Sequence, residues 1–247
     1  MKIQQTFERY EIKYLTDHQT KLKLLEAIRP YMVPDSFGRT CIRNIYYDTD
    51  NFRLIRTSLE SPIYKEKLRV RSYKEVSGSE QVLVELKKKY DHIVYKRRIE
   101  MSKNEADDYL SGRIEAPDPN QISREIDYFL SFYKSLEPRV FLSYDREAYV
   151  SEDASLRITF DDNILYRETD LDLGCDVYGT AFLPLSASLM EIKTGPGMPL
   201  WLSALLDRYE LRKTSFSKYG NAYRDLQNNK RIITYPPQKE SEVIRYA

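Results

Sequence analysis

The sequence predicts an α+β domain dominated by antiparallel strands, and two observations carry that expectation. Short segments in which apolar and charged residues strictly alternate recur along the chain, as in strands with one face packed and the other wet. The 21 tyrosines, together with abundant Ile and Val, suit a pleated and half-buried surface. Composition shifts nowhere, so residues 1–247 are read as a single domain, long enough to bury a substantial core.

Each element follows from local chemistry. Phe7 to Tyr14 reads as a strand, followed by a helix capped by Thr16 or Asp17, with Leu22, Leu25 and Ile28 on one face before Pro30. Thr40–Asp48 reads as a strand and Asn51–Ser58 as a short helix. Tyr64–Lys74, Gln81–Lys89 and Val94–Met101 are strands, divided by turn signals at Ser77-Gly-Ser79 and Asp91-His92. Ser102 and Glu105 form a capping box for a helix that runs to Gly112. A loop at Pro117–Asn120 leads into a helix over Ile122–Lys134. Strands then cover Arg139–Ser151, Leu156–Asp162 and Ser188–Thr194, with an irregular stretch at 167–186. Pro199–Tyr209 and Ser217–Asn228 are the closing helices, and the tail from 235 to 247 is polar.

The charged faces of these strands point to function. Lys65, Lys67, Arg69 and Arg71 occupy every second position and therefore share one face. Glu85, Lys87 and Lys89 repeat the design, as do Glu191 with Lys193, and Arg9 with Glu11 and Lys13. Arg157 alternates with Leu156, Ile158 and Phe160, and Tyr144 shares a face with Arg146. Lys and Arg total 39 against 38 Asp and Glu, so these clusters are local arrangements and not the by-product of a basic protein. The faces read as mostly of one sign, with a Glu recurring two residues before a Lys. If the strands close with these faces inward, two like charges about 4 Å apart repel by roughly 4 kcal/mol at an effective dielectric near 20. Such a lining calls for an anion of high charge density. Phosphate chains fit, because Arg grips their oxygens bidentately and Lys acts as a point charge.

Other chemistries find no support. Cys41 and Cys175 are far apart and read as reduced thiols of a cytoplasmic protein. The start of the chain has no apolar core of a signal peptide, and no run approaches the ~20 apolar residues of a membrane span. His18 and His92 read as exposed, and there is no GxSxG, HExxH or Walker motif. Nucleic acid is not expected, because aromatics are not interleaved with the basic face as stacking platforms.

Seven motifs in order then suggest a family: Arg9-Tyr-Glu11-Ile-Lys13, Tyr46-Tyr-Asp48-Thr-Asp50-Asn51-Phe52, Leu68-Arg-Val-Arg71-Ser-Tyr73, Val84-Glu-Leu-Lys87, Tyr144-Asp-Arg146, Met190-Glu-Ile-Lys193 and Ser215-Phe-Ser-Lys218-Tyr219. From about residue 6 to 228 the chain resembles the VTC (vacuolar transporter chaperone) catalytic domain, a polyphosphate polymerase of the triphosphate tunnel metalloenzyme (CYTH-like) superfamily. The resemblance implies a closed antiparallel β-barrel with helices outside, in which ATP and polyphosphate are held with Mn²⁺ or Mg²⁺. By motif, Lys13, Arg69, Arg71, Lys87, Arg146, Arg157, Lys193 and Lys218 would contact phosphates, with Arg9 and Lys89 beside them. Glu191 would bind the metal, with Glu85 and Glu11 as weaker candidates that could instead pair with a neighbouring Lys. Tyr144 would stack on the base or serve packing. The resemblance also implies a membrane-protein partner.

One departure helps to choose within the superfamily. Sister hydrolases and cyclases begin Glu-x-Glu-x-Lys, whereas the first of those positions is Arg9 here. A cation there favours holding phosphate over binding a second metal, and so favours polymerisation. A tunnel-fold triphosphatase, acting on inorganic triphosphate, a nucleotide or an RNA 5′ end, remains the alternative, as does a non-catalytic polyphosphate-binding subunit.

Overall fold

The computed structural model describes residues 10–91, 93–195 and 197–228. Its elements, in chain order, are β1 (Tyr10–Asp17), α1 (His18–Ile28), β2 (Val33–Pro34), β3 (Thr40–Asp48), α2 (Arg53–Leu59), β4 (Tyr64–Ser72), β5 (Gln81–Tyr90), β6 (Ile93–Ser102), α3 (Lys103–Leu110), α4 (Gln121–Tyr133), β7 (Glu137–Val150), β8 (Arg157–Arg167), β9 (Thr180–Ala181), β10 (Ala187–Thr194), α5 (Leu200–Arg208), β11 (Lys213–Thr214) and α6 (Lys218–Asn228). The α+β class expected from the alternation is the one observed. The two-residue strands β2, β9 and β11 are too short for any periodicity to announce them.

Contacts divide the chain into two compact units, each assembled from three separate stretches. The first unit contains the chain from β1 to Cys41, Tyr144–Ile164 and Leu183–Ser217. Its strands lie in the order β11-β1-β10-β8-β7, with β2 added to β7. The β1–β10 register sets Glu11 opposite Lys193 and Lys13 opposite Glu191, and β10–β8 sets Glu191 opposite Thr159. The other face of these strands carries Tyr14, Ile158, Phe160, Met190 and Ile192, packed with Leu24 and Ile28 of α1 and Leu202 and Leu206 of α5.

The second unit contains Ile42–Ser143, Leu165–Phe182 and α6. Its order is β7-β3-β4-β5-β6, with β9 on the end of β8. Leu68, Val70, Val82, Val84 and Leu86 face a core completed by Ala106, Tyr109 and Leu110 of α3 and Ile126 and Phe129 of α4. In both units, then, apolar faces meet helices and charged faces point the opposite way, as period-two alternation requires.

Some local expectations are corrected. The buried face of α1 is Lys21, Leu24 and Ile28, while Leu22 is exposed. Asp17 supplies the cap, accepting from the Thr20 amide at 2.8 Å. The turn after β3 delays α2 to Arg53. Phe52 has φ of 57°, and the buried Asp48 accepts from the amides of Leu54 and Ile55, satisfying donors that a helix start leaves open. β8 runs to Arg167, beyond the expected Asp162, because the Arg167 guanidinium binds the carbonyls of Thr169, Asp170, Asp176 and Tyr178 and so organises the irregular stretch. Gly179 belongs to this stretch; at φ 149° a Cβ there would sit 2.3 Å from the Tyr166 carbonyl oxygen.

A charged face in each unit

In the first unit, strand register gathers Glu11, Lys13, Arg146, Arg157, Thr159, Asp161, Glu191 and Lys193 on one face. The ammonium of Lys13 lies 3.0 Å from Glu11 and 3.5 Å from Glu191, and it donates to the Phe216 carbonyl. Arg146 is held bidentately by Asp161, with Nε and Nη2 each 2.6 Å from a carboxylate oxygen, and its Nη2 also reaches Glu191 at 3.2 Å. Burial opposes the charge of Arg146. The oxygens of Tyr144, Asp161 and Glu191 outweigh it and hold the guanidinium well above the ordinary arginine range. Tyr144 is buried beneath Arg146, its ring centroid 5.2 Å from the guanidinium. Arg157 pairs with Asp35 at 2.8 Å.

The second unit differs in sign. The β4–β5 and β5–β6 registers place Lys65, Lys67, Arg69, Arg71, Lys87, Lys89, Lys96 and Arg98 on one face, against Glu85 and Glu100. Glu85 is almost wholly buried among cations: Arg69 approaches at 2.6 Å, Arg71 at 3.8 Å, and Lys96 is paired with it. Burial alone would raise its carboxyl, but Arg69, Arg71 and Lys96 pull it down to about 2. Lys65 is lowered by burial and by the neighbouring charges of Lys89 and Lys87. β3 supplies neutral partners to the arginines. Arg69 Nη1 donates to the Tyr46 hydroxyl at 3.0 Å and Arg71 Nε to Asn44 Oδ1 at 2.9 Å. The Tyr46 ring stacks on Tyr219 of α6 with centroids 4.4 Å apart, and Tyr219 donates to Asp48.

The expectation of faces mostly of one sign therefore holds for the second unit and is corrected for the first, where three carboxylates sit among the cations. The Glu-x-Lys segments also take different partners in the two units. Glu11 pairs with Lys13 two residues away, whereas Glu85 is bound across strands by Arg69 and Lys96. Sequence reasoning missed Asp161, Lys96 and Arg98. Alternation in Val94–Met101 could have revealed the last two; Asp161 is masked by the adjacent Asp162. Arg9 and His92 lie outside the described residues.

A family model for the VTC domain matches residues 8–227. The chain belongs to the VTC family. Among solved structures, it is similar to a candidate adenylate cyclase from Bacillus halodurans, with a TM-score of 0.53 and 16% identity over 84% of this chain and 92% of that one. A candidate adenylate cyclase from Vibrio parahaemolyticus gives a TM-score of 0.46 and 14% identity over 89% and 99%. No curated protein matches the chain. The first likeness shows a shared α+β fold, and VTC membership supports a phosphate-handling enzyme. Among the described residues of this VTC domain, no helix is long and apolar enough to cross a membrane.

Proteins of this fold typically use divalent metals. Among the described residues no three His, Cys, Asp or Glu side chains form a ready-made metal cage. Glu11 and Glu191, both reaching the Lys13 ammonium, nevertheless fit the mode in which one or two carboxylates and substrate phosphate oxygens share a Mg²⁺-like ion.

Proposed function

We propose that this VTC domain transfers the γ-phosphate of ATP to the end of a polyphosphate chain, releasing ADP, within a closed tunnel. The observation that carries this reading is the cationic face of the second unit, where Lys and Arg far outnumber the carboxylates. A surface of that kind suits a long anion better than a single small phosphate ester.

Arg69, Arg71, Lys87, Lys89, Lys96 and Lys218 hold phosphates of the chain, while Lys13, Arg146, Arg157 and Lys193 hold the reacting end. Glu191 and Glu11 take the divalent ion, Mn²⁺ or Mg²⁺, which when bound neutralises charge on the transferring phosphate. Glu85 is assigned a positioning role and not a metal, because a carboxylate already enclosed by three cations binds a fourth poorly. Asp161 orients Arg146. A general base is unnecessary: the terminal phosphate is already anionic, and phosphoryl transfer depends mainly on positioning and electrostatic stabilisation. A membrane-protein partner is part of this proposal.

Purified protein incubated with ATP and Mn²⁺ should yield acid-labile phosphate chains together with ADP. Free phosphate without chains would make the domain a triphosphatase. Thermal stabilisation by polyphosphate without turnover would make it a binding subunit.

A further inference from the structure

Arg69 and Arg71 are each held by two kinds of partner. Glu85 supplies negative charge, and the neighbouring strand β3 supplies an uncharged acceptor to each arginine: the Tyr46 hydroxyl to Arg69 and the Asn44 amide oxygen to Arg71. The register puts both acceptors directly opposite their arginines, Tyr46 opposite Arg69 and Asn44 opposite Arg71. Both acceptors are themselves fixed. Asn44 is fully buried and donates to the Leu142 carbonyl at 2.9 Å, and Tyr46 is pinned by its stack on Tyr219. A hydrogen bond fixes a guanidinium in direction, and a neutral acceptor does so without cancelling its charge.

We propose that Tyr46 and Asn44 are positioning residues that aim Arg69 and Arg71 at a phosphate chain without adding negative charge to a pair that already shares Glu85. The inference deepens the phosphate reading and rests on it. The electrostatics of Tyr46 agree with the geometry. Burial opposes ionisation of the phenol, but Arg69 and Arg71, with Lys218, outweigh it and draw the hydroxyl below its usual value. The charged and titratable groups around the phenol are Arg69 and Arg71 on β4, Glu85 on β5, and Lys218 and Tyr219 on α6. As pH rises through the Tyr46 transition, a phenolate forms against Arg69 and offsets part of the charge offered to the anion.

The test measures polyphosphate affinity against pH for the intact protein and two variants, with circular dichroism melting to check the fold. Tyr46→Phe keeps the ring stack and removes the acceptor. It should weaken binding about tenfold, the loss expected for one hydrogen bond to a charged group, and should move the alkaline loss of binding to higher pH. Asn44→Asp keeps an acceptor but adds charge, and it should also weaken binding although Arg71 is still held. If wild type binds while Tyr46→Phe matches its affinity and pH profile, or Asn44→Asp binds as tightly as wild type, the positioning inference is overturned and the phosphate reading survives. If wild type itself does not bind polyphosphate, both fall.

Discussion

The two charged faces are built on the same plan of alternating strands yet reach different electrostatic ends. In the first unit, Lys13 and Arg146 are each shared between carboxylates, so the face is close to balanced. In the second, one buried carboxylate, Glu85, serves Arg69, Arg71 and Lys96 at once, and the excess is positive. A balanced face rigidifies its side chains and can offer carboxylate oxygens to an ion; a face with an excess of cations favours an anion. The proposed function accordingly gives reacting-end chemistry to the first unit and chain holding to the second.

The comparison breaks most visibly at Glu191. Glu191→Ala should lower kcat on the order of 10²–10³-fold, the scale of losing one electrostatic group at a reacting centre, while polyphosphate still binds. Parallel loss of binding and turnover would erase the division of labour. Glu85→Gln should act the other way round, on stability. Removing the buried partner of these cations should cost about 3 kcal/mol, read from the denaturation midpoint, and added polyphosphate should recover part of it. An unchanged midpoint would show that solvent already screens the cluster.

Acid titration sharpens the same point. Glu85 sits at about 2 in the folded chain, against about 4.3 for an unperturbed Glu. A depressed carboxylate contributes stability that is present above the unfolded value and is lost as pH falls through the folded one. The wild type should therefore lose stability between these values, and Glu85→Gln should lack that component. Next in size, Asp161→Asn should reduce kcat about tenfold, as expected for a residue that orients another, with polyphosphate affinity little altered; a loss confined to affinity would count against it. Lys96→Ala should weaken polyphosphate binding only a few-fold, because its side chain is partly exposed, and the effect should shrink in high salt.

Much of this was legible in the sequence. Among the described residues, each strand longer than two residues was expected from the sequence, most of them from alternation, and Lys65 to Arg71 announced the cationic face. The capping box at Ser102 and Glu105 formed as expected. What could not be read was pairing across strands. Nothing in the order of residues says that Glu85 meets Arg69 and Lys96, that Asp161 and not Asp162 grips Arg146, or that Asn44 and Tyr46 stand opposite two arginines. Those facts depend on register, which is set by whole-sheet packing. The borders between the two units are silent for a related reason: they fall within continuous strands such as β3, β7 and β8, where composition has no cause to change.

The interleaving of the two units has a consequence for how the protein is made. The first unit needs residues from β1 and from β11, and the second needs α6 to join strands laid down far earlier. The cationic strands β4, β5 and β6 are consecutive and pair in order, so they can form locally, whereas the first unit must bring β1 to β10 and β11 across most of the described chain. Contacts so distant in sequence make for slow folding.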